Sequence, residues 1–68
     1  MNEDNLNMEI RKFLKKVGIT SQRIIENKIH DADKNGTIKA GDEIELEMTL
    51  AIKNFQSSNR IDGKITIE

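Results

Sequence analysis

The apolar residues change their spacing near Gly36, and that change limits the chain to a helical first half and a sheet-forming second half. Leu6, Ile10, Phe13, Leu14 and Val17 recur at the intervals of one helical face, the pattern of an amphipathic helix with a dry stripe. Asn2 to Asn5 offer capping side chains, and Glu3 and Asp4 suit the positive end of the helix dipole. Gly18 reads as the residue that stops this helix in a left-handed cap. Thr20 then reads as the N-cap of a second helix, with Ile19 and Ile24 closing a hydrophobic staple around it. Ile25, Ile29 and Ala32 continue on one face until Asn35 and Gly36. These signals predict helices at about 5–17 and 21–35, joined by a tight corner.

Beyond Gly36 the period is two. Ile44, Leu46, Met48, Leu50 and Ile52 alternate with Glu45, Glu47, Thr49, Ala51 and Lys53, which predicts a strand over 43–54 with one dry and one wet face. Gln56 to Asn59 reads as a polar loop. Ile61, Ile65 and Ile67 alternate with Asp62, Lys64 and Thr66 in a final strand over 60–67, and Thr37 to Lys39 offers a short strand before an Ala40–Gly41–Asp42 turn. The expected fold is α+β: a single domain, 1–68, with two helices packed on an antiparallel sheet of two or three strands.

A chain of 68 residues buries only about 60% of the surface its unfolded form exposes, so its core contributes few kcal/mol. Small domains make up the deficit with disulfides, a metal or a partner subunit. Cysteine is absent, which removes the first and fits a reducing compartment. A single histidine and no cysteine leave zinc without ligands. A homodimer or other homo-oligomer is the expectation that follows. No segment reaches the ~20 apolar residues of a membrane span, and the acidic start reads as neither signal nor transit peptide. A cytoplasmic protein is expected.

Charge is unevenly spread. Residues 10–40 carry eight Lys and Arg against three Asp and Glu, a balance of +5, while 1–9 and 41–68 each stand at −3. Such asymmetry suits an acidic partner or a second copy of the chain, and equally an ordinary solvated helix face.

The stretch Asn7 to Arg23, and within it Ile10-Arg11-Lys12-Phe13-Leu14-Lys15-Lys16-Val17-Gly18-Ile19-Thr20-Ser21-Gln22, resembles the N-terminal signature of a small bacterial family known only as a domain of unknown function. The similarity continues through Met48-Thr49-Leu50 and Asp62-Gly63-Lys64-Ile65, and so covers nearly the whole chain. It implies a compact bacterial protein and brings no activity, ligand or site residue with it.

Two local patterns carry site hypotheses. In the first, Asp31, Asp33, Asn35, Thr37 and Asp42 stand at positions 1, 3, 5, 7 and 12 of a twelve-residue loop with Gly36 at its sharp turn, the spacing by which oxygen donors surround calcium. Asp42 replaces the bidentate glutamate of such loops, and Lys39 sets a cation beside the would-be dication. A helix end capped by Asn35 and Gly36 accounts for the same residues. In the second, Gly18 within a helical corner, followed by Gln22, Arg23, Asn27 and Lys28, has the outline of a helix-turn-helix DNA reader. Leu14 stands where the helix crossing wants a small residue, and Asn27 where the core wants an apolar one. With no Trp or Tyr and only Phe13 and Phe55, stacking platforms for single-stranded nucleic acid are not expected.

No catalytic set is legible. His30 is the lone histidine, the serines lie in a cap and a loop without a visible base, and the glycines are scattered over turns. The sequence leaves the function unknown. It favours a non-enzymatic, homo-oligomeric interaction or regulatory protein associating through its sheet, with nucleic-acid binding and calcium binding as alternatives.

Overall fold

The computed structural model describes all of residues 1–68. The chain divides into two units, Met1–Asn35 and Gly36–Glu68, each with one secondary-structure motif.

The first unit is one helix, α1, Glu3–Lys34, of 32 residues, about 48 Å long at 1.5 Å per residue. The Asn2 side chain accepts the Asn5 N–H at 3.0 Å, and Glu3 and Asp4 occupy the first turn, as the sequence led us to expect. At the far end the Asn35 N–H donates to the Asp31 carbonyl at 3.0 Å. Gly36 then takes φ +70°, the left-handed cap that ends the helix. The expected pair of helices at 5–17 and 21–35 is therefore corrected to one. Gly18 does not adopt a positive φ and the helix runs through it. A mid-helix glycine costs only about 1 kcal/mol, and the apolar stripe keeps its phase across it: Val17, Ser21 and Ile25 follow Leu14 on the same side. No proline stands near to forbid the next hydrogen bond.

The second unit is an antiparallel hairpin of β1, Glu43–Ile52, and β2, Ser57–Thr66. Every cross-strand pair follows one register, from Glu43 opposite Thr66 to Ile52 opposite Ser57. The loop is Lys53–Gln56, one 3-10 turn closed by the Gln56 N–H on the Lys53 carbonyl, with Gln56 left-handed at φ 50°. This corrects the expected strand limits 43–54 and 60–67 and the expected loop at 56–59. Ser57 and Asn59 break the apolar alternation, yet the short loop sets them opposite Ile52 and Leu50, and the Asn59 amide donates to the Ser57 hydroxyl at 3.2 Å.

The optional strand 37–39 does not form. Lys39 gives its N–H to an Asp42 carboxylate oxygen at 3.0 Å and its carbonyl to the Asp42 N–H at 3.1 Å. Both of its backbone groups are thus spent inside a turn and none is left for a ladder. Gly41, at φ +95°, supplies the left-handed residue in that turn.

Candidate interaction surfaces

Each unit presents one apolar face. On the hairpin, β1 places Ile44, Leu46, Met48, Leu50 and Ile52 on the same side as Ile61 and Ile65 of β2. The opposite side carries Glu43, Glu45, Glu47 and Thr49 of β1 against Thr66, Lys64, Asp62 and Arg60 of β2. Two ion pairs lie on this polar side: Arg60 with Asp62 at 3.2 Å and Lys64 with Glu43 at 3.4 Å. Glu47 stands directly opposite Asp62, a like-charge pair that costs stability unless a cation is close. Arg60 is that cation.

No residue of α1 or of either strand is buried, and Ile61 remains 59% exposed. On α1 the residues Val17, Ser21, Ile25, Ile29 and Ala32 are half-buried, whereas Phe13 and Ile24 on the flank of that stripe are 53% and 57% exposed. Lys28 sits on the stripe itself, one turn from both Ile24 and Ala32, so the dry face is interrupted by an amine.

The residues expected to read DNA do not form one surface. At about 100° per residue, Gln22, Arg23, Asn27 and Lys28 point around most of the helix circumference, and only Arg23 and Asn27 share a side. Gln22 donates to Glu26 at 2.8 Å, one turn along. The helical corner on which that reading rested is replaced by continuous helix.

The residues expected to ligate calcium are also dispersed. Asp31 and Asp33 belong to the last turns of α1, about 160° apart around its axis. Asn35 is the C-cap, and Asp42 holds the Lys39 N–H. No three Asp, Glu or His side chains gather as a metal-binding group. His30 lies exposed on α1.

Missed at first sight was the edge of β2, because Asp62 and Lys64 read only as the wet half of an alternation. Arg60, Asp62 and Lys64 form a row of alternating sign along one polar face, and a spacing of two through a strand was the signal that could have found it.

These surfaces define a small α+β protein whose chemistry is that of amphipathic faces and an open strand edge. The chain belongs to the Family of unknown function (DUF6494), whose model matches residues 1–68, in agreement with the expectation of a family without an assigned activity that spans the chain. No curated protein and no solved structure matches it. No helix is long and apolar enough to cross a membrane.

Proposed function

We propose that the protein is a non-enzymatic, self-associating interaction or regulatory protein whose hairpin forms the association surface. One observation carries this reading: the hairpin has an apolar face, unbroken along β1 and continued by Ile61 and Ile65 of β2, on which no residue is buried. A two-stranded hairpin is marginal in water by itself and becomes stable only with further strands or a covering layer. Full burial of one Ile, Leu or Met side chain contributes roughly 1.5–3 kcal/mol, so covering even three of these residues outweighs the small intrinsic stability of such a motif. A second copy of the same chain is the partner that is present wherever the protein is made. A single histidine, exposed on α1, and a chain free of cysteine support a role in binding rather than catalysis. The resemblance of Ile10 to Gln22 to a bacterial family, together with the absence of thiols, supports a bacterial cytoplasmic setting.

The test is a dilution series followed by light scattering with refractive-index detection, since the chain has no Trp or Tyr to absorb at 280 nm. Mass should fall from dimer to monomer on dilution, and far-UV circular dichroism from the hairpin should weaken with it. A monomer that keeps its full circular dichroism at the lowest concentration would end this reading.

A further inference from the structure

We propose that two copies join through the outer edge of β2, antiparallel and about a two-fold axis at Ile61, to make one four-stranded sheet in the order β1-β2-β2-β1. The inference rests on the self-associating reading above and adds which edge pairs and in which register.

Backbone geometry shows which groups the edge offers. The Ile67 N–H donates to the Asp42 carbonyl at 2.8 Å, continuing the register of the ladder. In an antiparallel pair, residues alternate between those that exchange hydrogen bonds across the ladder and those whose N–H and C=O point away from it. Ile65, Gly63, Ile61 and Asn59 therefore spend their backbone groups on β1, and Ser58, Arg60, Asp62, Lys64 and Thr66 turn theirs outward. By the same parity, β1 offers outward Glu43, Glu45, Glu47, Thr49 and Ala51.

Charge separates the two edges. The outward row of β1 holds three carboxylates and no cation, so two such rows side by side bring six negative charges together. Carboxylates along an edge are a common guard against strand pairing. The outward row of β2 reads Arg60, Asp62, Lys64, plus-minus-plus. Antiparallel pairing centred on Ile61 sets Arg60 of each copy opposite Asp62 of the other and Lys64 opposite Ser58, and it engages nearly all of Ser57–Thr66. Shifting the axis by one residue, to Asp62, would set Asp62 against Asp62 and Arg60 against Lys64. Directly opposed charges stabilise or destabilise a cross-strand pair according to sign, so the row selects the Ile61-centred register over its neighbour.

The packing consequence is consistent. With Arg60 opposite Asp62, Ile61 meets Ile61 on the other side of the sheet, where β1 already displays Ile44, Leu46 and Met48. Two small apolar faces become one wide face, and the stabilisation this pairing supplies is that of further strands added to a marginal hairpin rather than of a layer over that face. Each Asp62, already 3.2 Å from Arg60 of its own strand, gains a second guanidinium. The arrangement is isologous and closes at two copies.

The test uses charge reversal and a cross-link in the full chain, with far-UV circular dichroism confirming that each variant folds. Asp62→Lys makes the row wholly basic, and the double variant Arg60→Glu with Lys64→Glu makes it wholly acidic. Each alone should dimerise about tenfold more weakly or worse, and an equimolar mixture should recover dimer. Because the chain has no cysteine, Ile61→Cys should oxidise to a covalent dimer in good yield, since opposed residues of a non-hydrogen-bonded pair have Cα atoms about 4.5 Å apart. Asp62→Cys should not cross-link. The Ile61→Cys result stands even if the acidic variant fails to fold. Dimers of undiminished affinity from both reversed rows, or cross-linking at Asp62→Cys and not at Ile61→Cys, would overturn the proposed edge or register while leaving self-association intact. A wild-type chain that is monomeric throughout would remove both. Growth into large polymers would mean that β1 of one copy pairs with β2 of the next, an open arrangement that refutes the closed dimer.

Discussion

Replacing Gly18 by alanine puts the unbroken helix to a test in which the sign of the effect is decisive. In α1 this glycine has helical geometry, and a methyl group built on it meets nothing within 4 Å. Alanine should therefore add helix propensity without a clash, a gain of about 0.8–1 kcal/mol. For a chain of this size that is a rise in melting temperature of roughly 4–8 °C. Were Gly18 instead the left-handed end of a first helix, the same alanine would pay the left-handed penalty of roughly 1–2 kcal/mol and lower the melting temperature by a similar amount. Gly36 provides the internal comparison, because at φ +70° it does occupy that conformation, and Gly36→Ala should destabilise by about 1 kcal/mol. The assay is thermal unfolding followed at 222 nm, with wild type and both variants at one protein concentration so that any self-association is held fixed. A Gly18→Ala variant that melts below wild type would refute the continuous helix.

Two further substitutions probe the ends of the elements. Gln56 holds φ 50° in the hairpin loop, a strained conformation for a residue with a side chain, so Gln56→Gly should stabilise the chain by up to about 1 kcal/mol; urea unfolding at fixed concentration measures it, and a loss of stability would refute a left-handed Gln56. Asn2→Ala removes the acceptor of the Asn5 N–H and should cost about 1 kcal/mol, visible as faster amide hydrogen exchange confined to the first turn of α1; unchanged exchange there would show that Asn2 is not the cap.

Much of this architecture was legible in the residues, and the failures have physical causes. The start of α1 among the caps Asn2 to Asn5, two residues earlier than the expected position 5, and its end at Asn35 and Gly36 followed from capping chemistry, and the faces of β1 from strict alternation. Gly18 misled because glycine at a cap and glycine within a helix differ only in φ, which composition does not encode. The phase of Leu14, Val17, Ser21 and Ile25 was the better witness, since a true stop with a fresh start would not preserve it. Ser57 and Asn59 misled in the opposite direction. Polar residues on a dry face look like loop, but register is imposed by the short Lys53–Gln56 connection and carries them into the ladder. Lys39 failed as a strand residue because Asp42 captured both of its backbone groups, a local bond that spacing alone does not disclose. For the sites, linear spacing grouped Gln22, Arg23, Asn27 and Lys28, and likewise Asp31 and Asp33, while helical rotation separates them. Strand parity gathers Arg60, Asp62 and Lys64 into one row for the same geometric reason.

The shortness of the Lys53–Gln56 loop has a kinetic consequence. Every cross-strand pair can form by zipping outward from Ile52 and Ser57, and every hydrogen bond of α1 closes over one turn, so neither unit waits on a distant contact. Elementary helix and hairpin formation take on the order of microseconds. Such a chain can acquire its secondary structure almost as fast as its residues become available, and if two copies associate as proposed, the step that sets the pace of maturation is their meeting, which speeds up as the protein accumulates.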